Sequence, residues 1–166
     1  MAKTSIPHLY ALALGSNRPL SAQLAPARIL DAAVERIGAL GAVQAVAPVL
    51  TTPPVGPSRR VFANGALIVK SDLPPDMMLA RLQEIERSLG RRRFRRWGAR
   101  SIDIDIIFWS GGRWNSRSLH IPHPAFRQRD FVLKPLCAII PHWRDPVSGL
   151  SIRQLLVRLR KAISGG

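Results

Sequence analysis

A chain of 166 residues with 46% hydrophobic content fits one globular domain, and no long polar or low-complexity tract points to disorder. No apolar run approaches the roughly 18 residues that a spanning helix needs, which excludes a helical membrane protein. The formal charge of +15 comes almost entirely from arginine, 21 Arg against 4 Lys, and favours a polyanionic partner: nucleic acid, an anionic membrane or nucleotide phosphates.

"HLYALAL" at residues 8 to 14 is a short apolar run ended by "GSN", so the spacing predicts a first strand leading into a turn. The preceding and included residues are too short, and lack a small-x-small cleavage site, to form a secretory signal. From Pro26 to Leu40 a helix is expected, with Leu30, Ala33, Val34, Ile37 and Leu40 on its inner face. Residues 42 to 50 and 61 to 71 are β-like and joined by the proline-rich "TTPPVGPSRR", a connection longer than a hairpin requires.

A second helix is predicted over 73 to 90, with Met78, Leu79, Leu82, Ile85, Glu86 and Leu89 along one side and Gly90 at its stop. Residues 101 to 109 alternate as a strand, and 124 to 140 read as a short helical return. The last helix starts at the cap candidate Ser151 and directs Ile152, Leu155, Leu156, Leu159 and Ile163 inward. The lone cysteine, Cys137 in "PLCAII", cannot form an internal disulfide and reads as a small core residue, which suits a reducing cytoplasm. Strand, helix, strand, strand, helix, strand and then helical returns give an α+β class: a ferredoxin-like sandwich with a mainly antiparallel sheet, in a single domain over 1–166.

The chemistry concentrates in "RWGARSIDIDIIFW", residues 96 to 109. Residues two apart on a strand share a face, so Asp103 and Asp105 point one way while Ile102, Ile104 and Ile106 point to a core. Two carboxylates that close repel unless a cation neutralises them. Hard oxygen ligands suit Mg²⁺, which is commonly held by one or two carboxylates together with substrate phosphates. Pairing with nearby arginines is the alternative, and spacing by itself leaves both open.

Just before this strand, "GRRRFRRWGAR" carries Arg91, Arg92, Arg93, Arg95, Arg96 and Arg100, planar bidentate donors suited to phosphate oxygens. The same loop, with Phe94 and Trp97 interleaved, also fits an RNA-binding arm. The aspartate pair argues against that reading, because two carboxylates beside a phosphate groove repel RNA in the absence of metal.

"LALGSN" (12 to 17), "TTPPVGP" (51 to 57), "FANGAL" (62 to 67), "EIERSLGRRR" (84 to 93), "RWGARSIDIDII" (96 to 107) and "IPHPAFRQRDFVLKPL" (121 to 136) stand in this order along nearly the whole chain. Together they resemble the 6-hydroxymethyl-7,8-dihydropterin pyrophosphokinase family, which moves diphosphate from ATP to a pterin alcohol in folate biosynthesis. The resemblance implies an ATP-dependent diphosphotransferase that releases AMP, with no nucleic-acid or membrane partner, in a monomer.

It also implies roles residue by residue. Asp103 and Asp105 hold two Mg²⁺ ions, and Arg91, Arg93 and Arg100 act on the transferred phosphates. Thr52 and Asn64 meet the polar edge of the pterin, Phe62 and Phe131 stack on its rings, Pro53 and Val55 lie near them, and Trp97 packs over the pterin. Gly15, Ser16 and Asn17 lie beneath the substrate. Gln83, Glu86, His123 and Arg129 serve the nucleotide. Ala99 stands where the family commonly has proline, Phe62 where tyrosine is frequent and Ser118 where an arginine is often found. Four residues separate Pro57 from Phe62, one fewer than in many relatives.

Overall fold

The computed structural model describes residues 6–19, 26–52, 60–90 and 102–166. Strand β1 (His8–Pro19) is followed by helix α1 (Pro26–Ile37), strands β2 (Ala42–Val46), β3 (Leu50–Thr52) and β4 (Arg60–Ser71), helix α2 (Pro75–Gly90) and strand β5 (Asp103–Trp109). A small hairpin, β6 (Trp114–Asn115) and β7 (His120–Ile121), precedes a 3-10 turn at Phe126–Gln128 and the helices α3 (Asp130–Ile139) and α4 (Ile152–Ser164).

The main sheet has the order β2-β4-β1-β5, with β3 also paired to β4, and its pairings are antiparallel. This is the split βαβ arrangement of the ferredoxin-like class, as the element order predicts. Alternation along the central strands divides the interior into two cores. Tyr10, Leu12, Leu14, Leu67 and Val69 meet the buried faces of α1 and α2, including Leu30, Ala33, Ile37, Met78, Leu82 and Ile85. On the other side Ala11, Ala13, Ala66 and Ile68 meet Val132, Leu133 and Leu136 of α3 and Ile152, Leu155 and Leu156 of α4. Cys137 is half-buried against this second core.

Several expectations are corrected. "GSN" does not end β1: the strand runs on to Pro19 because Gly15, Ser16 and Asn17 pair with Asn64, Ala63 and Phe62 of β4. Ladder formation with a long neighbour outweighs the turn preference of those three residues. The segment 42 to 50 is two strands, since Pro48 has no N–H to give to a ladder and the chain steps across at Ala47, whose N–H donates to Ala66 O at 2.8 Å. Helix α1 stops at Ile37, and its end is tightened by the Ala39 and Leu40 amides donating to the Arg36 and Ile37 carbonyls. Ile163 is 65% exposed, not buried, because nothing after Leu159 in α4 reaches the sheet. Gly41 lets β2 begin against β4: a Cβ there would lie 2.1 Å from Lys70 O.

The capping box expected at Ser151 is present: its Oγ accepts from Gln154 N at 3.2 Å, and Gln154 Oε1 accepts from Ser151 N at 2.9 Å. The hydroxyl of Tyr10, fully buried, donates to Leu73 O, and burial pushes its pKa up. The turn before α4 is held by Asp145, which is 0% exposed and accepts from Arg127 Nε at 2.7 Å and Nη2 at 2.8 Å, from Ser148 Oγ at 2.6 Å and from Val147 N at 3.0 Å. Burial alone raises this carboxyl, but the hydrogen bonds from Arg127, Ser148 and Val147 override it and hold the pKa at about 2.

Asp145→Ala strands Arg127, the Ser148 hydroxyl and the Val147 and Ser148 amides, so we expect a loss of about 3–5 kcal/mol in urea unfolding. The folded pKa is depressed, so the carboxylate's contribution is complete above its ordinary value of 3.8 and is lost as pH falls toward about 2. Unfolding curves measured between pH 6 and pH 2 check this, and a parent protein whose acid-range stability loss equals that of the variant would contradict it.

Candidate active site

The period-two pattern of β5 does what its sequence implies. Ile104 and Ile106 are 3% and 2% exposed and belong to the α1/α2 core, while Asp103 is exposed and Asp105 half-buried on the opposite face. Pairing with β1 sets Asp103 opposite Gly15, Ile104 opposite Leu14 and Asp105 opposite Ala13. A register shift between Ala11 and Leu12 then admits both Ile107 and Phe108 to the second core.

Around this end of the sheet lies a cleft of about 710 Å³. β1 supplies Ala13 to Ser16, β3 supplies Leu50 and Thr51, β4 supplies Phe62 and Asn64, and β5 supplies the two aspartates. The start of α3 closes the far wall with Arg129 to Val132 and Lys134. Four strands and a helix terminus thus converge on one concavity, the usual form of a small-molecule site.

Asn64 is only 9% exposed. Its Oδ1 lies 3.4 Å from where a Cβ on Gly15 would sit, so the amide stands over the backbone of β1 at the cleft floor. An amide this buried gains most from a ligand that offers a matched donor and acceptor. Phe62 and Phe131 line the same cleft and leave 40% and 41% of their surface exposed, an arrangement suited to a flat apolar ring.

His123 approaches from the loop before α3. Its Nδ1 accepts from Ala125 N at 3.1 Å, which leaves Nε2 directed at Asp105 Oδ2 4.0 Å away. Burial lowers the pKa of this imidazole, Asp105 partly offsets that, and Arg129 lowers it further. Glu86 reaches from α2 to β5, where Oε1 accepts from Ile104 N at 2.7 Å. Arg129, the residue before α3, places its guanidinium carbon 5.9 Å from the centre of the Phe131 ring.

Gly15, Ser16, Phe62, Asn64, Asp103, Asp105, Arg129 and Phe131, read from sequence as site residues, therefore line one cleft. His123 touches it through Asp105 and Glu86 through Ile104, whereas Gln83 is exposed on α2 and is not part of the lining. Pro53, Val55, Arg91, Arg93, Trp97 and Arg100 fall outside the described residues, as do the side chains of Asn17 and Thr52. The sequence reading missed Leu50, Thr51, Asp130 and Lys134. Lys134 and Asp130 pair at 3.0 Å across one helical turn, so their i,i+4 spacing beside Phe131 was the available signal.

The donor set fits a hard divalent cation. Two carboxylates share a strand face in the cleft lining, and no cluster of three or more His, Cys, Asp or Glu ligands occurs among the described residues. Protein ligation by two carboxylates, completed by phosphate oxygens and water, is the pattern of Mg²⁺ rather than of a closed structural metal.

Residues 11–141 match the family model of 7,8-dihydro-6-hydroxymethylpterin-pyrophosphokinase, HPPK. The chain belongs to this family. A relative from Synechocystis, named 2-amino-4-hydroxy-6-hydroxymethyldihydropteridine pyrophosphokinase, is 41% identical over 61% of this chain and 52% of its own length. One of the same name from Methylorubrum extorquens is 37% identical over 80% of this chain and 85% of its own. Among solved structures, the Plasmodium falciparum HPPK-DHPS chain superposes with a TM-score of 0.74 at 16% identity, over 95% of this chain and 45% of that one, a likeness of fold. The chain thus spans about half the length of the Synechocystis and Plasmodium proteins.

In metal-free protein, we expect NMR titration of the His123 ring to give a pKa below the ordinary imidazole value. Asp105→Asn, which removes the one influence that raises it, will lower the value further. A rise in that variant would contradict the assigned geometry.

Proposed function

We propose that this chain transfers diphosphate from ATP to the hydroxymethyl group of 6-hydroxymethyl-7,8-dihydropterin, releasing AMP, in folate biosynthesis. The observation that carries the reading is the convergence of Asp103 and Asp105 with the Asn64 amide and the exposed rings of Phe62 and Phe131 in one cleft, in a chain matched over residues 11–141 by the HPPK family model.

In this reading the pterin enters the apolar side of the cleft. Its heterocyclic edge meets Asn64, with Thr52 alongside, and its rings lie against Phe62 and Phe131, with Pro53, Val55 and Trp97 completing the enclosure and Asn17 near the floor. Each unmatched group on a competing ligand would leave the buried Asn64 amide unsatisfied, a cost of about 1–3 kcal/mol.

ATP presents its phosphates at the carboxylate end. The hydroxymethyl oxygen forms a bond to the β-phosphorus, the bond from the β-phosphorus to the bridging oxygen of AMP breaks, and the hydroxyl proton passes to solvent. Asp103 and Asp105 would hold the two Mg²⁺ ions that the family resemblance implies. Bound there, Mg²⁺ supplies charge neutralisation at the transferred phosphates and lowers the pKa of the substrate hydroxyl, so no side chain need act as an obligatory general base.

Arg91, Arg93 and Arg100 belong to the stretch between α2 and β5 and add bidentate donors for phosphate oxygens, while Arg129 contributes a cation from the α3 wall. His123, held by Ala125 N–H and lowered in pKa, is suited to donate a neutral hydrogen bond from Nε2. Positioning and fixed electrostatics supply most of the rate in such phosphoryl chemistry.

We place the enzyme in the cytoplasm as a single-domain monomer. No helix among the described residues is long and apolar enough to cross a membrane, and the lone Cys137 suits a reducing compartment.

With purified protein, ATP and Mg²⁺, we expect AMP release that depends on added 6-hydroxymethyl-7,8-dihydropterin. Asp105→Ala is expected to lower the rate by at least about a hundredfold. Asn64→Ala will raise the KM for the pterin by roughly tenfold, with a smaller change in kcat. AMP release that ignores the pterin, or near-parent turnover by Asp105→Ala, would overturn the proposal.

A further inference from the structure

We propose that Glu86 is a positioning residue for Asp103 and Asp105: its carboxylate fixes the outer edge of β5 at the peptide between them and thereby sets the direction of both side chains. The inference rests on the reading of those aspartates as the metal ligands.

β5 ends the sheet order, so β1 pairs with one of its edges and, among the described residues, no strand pairs with the other. Amides on an open strand edge ordinarily go to water. Ile104 N is different, since it donates to Glu86 Oε1 at 2.7 Å, the short distance of a charge-assisted bond. The peptide plane that carries this N–H joins Asp103 to Ile104. Holding it restricts ψ of Asp103 and φ of Ile104, the torsions that orient the Asp103 side chain relative to that of Asp105.

The anchor is itself rigid. Glu86 follows Ile85 and lies one turn after Leu82, 8% and 0% exposed, and both pack in the core that contains Ile102 and Ile104. The helix therefore sits in fixed register with the strand, and the carboxylate spans the gap between them. An acid at this place need not touch the nucleotide to matter, because groups that orient metal-ligating carboxylates commonly contribute about 10–100-fold in metal affinity.

The probe is Mn²⁺ as a paramagnetic surrogate for Mg²⁺, titrated in the presence of α,β-methylene-ATP, whose carbon bridge blocks AMP release. Its binding is followed by EPR, and exchange of the Ile104 amide by NMR, in the parent, Asp105→Ala, Glu86→Ala and Glu86→Gln proteins.

We expect Glu86→Ala to weaken Mn²⁺ by about 10–100-fold and to speed Ile104 amide exchange. Glu86→Gln keeps an acceptor oxygen and will stay within about threefold of the parent in both measurements. Parent-like Mn²⁺ affinity in Glu86→Ala, even with a loss of stability, would show that the residue only ties helix to strand and would overturn the inference. Glu86→Gln as weak as Glu86→Ala would assign the effect to charge at the ion and overturn it too. Asp105→Ala binding Mn²⁺ as well as the parent would instead remove the metal-site reading itself, and the inference with it.

Discussion

The antiparallel pairing of β1 with β5 is the constraint on which the rest of the site depends. It sets Asp103 opposite Gly15 and Asp105 opposite Ala13, and the pleat sends both carboxylates to one face while Ile104 and Ile106 enter the α1/α2 core. A slip of one residue would bury the acids and expose the isoleucines, so hydrophobic burial enforces the register that puts both carboxylates in the cleft. Conversely, the unusual appearance of acids within an apolar strand is tolerated because the strand stands at a sheet edge beside an open cleft.

The two faces of the sheet divide the work by side-chain size. Leucines, Tyr10 and Val69 fill the space beneath α1 and α2, whereas Ala11, Ala13 and Ala66 leave the other face shallow. Small residues there let α3 lie close to β1 and β4, which brings Arg129, Phe131 and Lys134 to the cleft wall. Arg127, in the turn just before α3, pairs with the buried Asp145 of the turn before α4 and so ties the two ends of this second layer together. A stability element and a wall of the cleft therefore share one short stretch of chain.

Much of this was legible in the sequence because the signals were periodic. The same-face aspartates, the inner face of α2 and the Ser151 cap each follow from local spacing, and the order of elements identified the fold class. What was not legible depended on partners distant in sequence. Gly15, Ser16 and Asn17 form strand only because residues 62–64 lie beside them, and the two-residue strands β6 and β7 are too short to carry a pattern. Ile163 keeps a helical spacing but lies beyond the layer that would bury it. The bond from Ile104 N–H to Glu86 spans 18 residues and involves a backbone group, for which no sequence pattern exists. For Lys134 the i,i+4 spacing from Asp130 was a local signal of pairing, but its place in the cleft comes from the packing of α3 on alanines.

The most direct test of the central claim, that the carboxylate end of the sheet is where the two substrates meet, is a crystal structure with Mg²⁺, α,β-methylene-ATP and 6-hydroxymethyl-7,8-dihydropterin. We expect Mg²⁺ at about 2.0–2.1 Å from oxygens of both Asp103 and Asp105 and bridging to the phosphates. The pterin edge will hydrogen-bond the Asn64 amide, with its rings against Phe62 and Phe131. Nucleotide bound away from the aspartates, or a pterin that leaves Asn64 without a partner, would contradict the account.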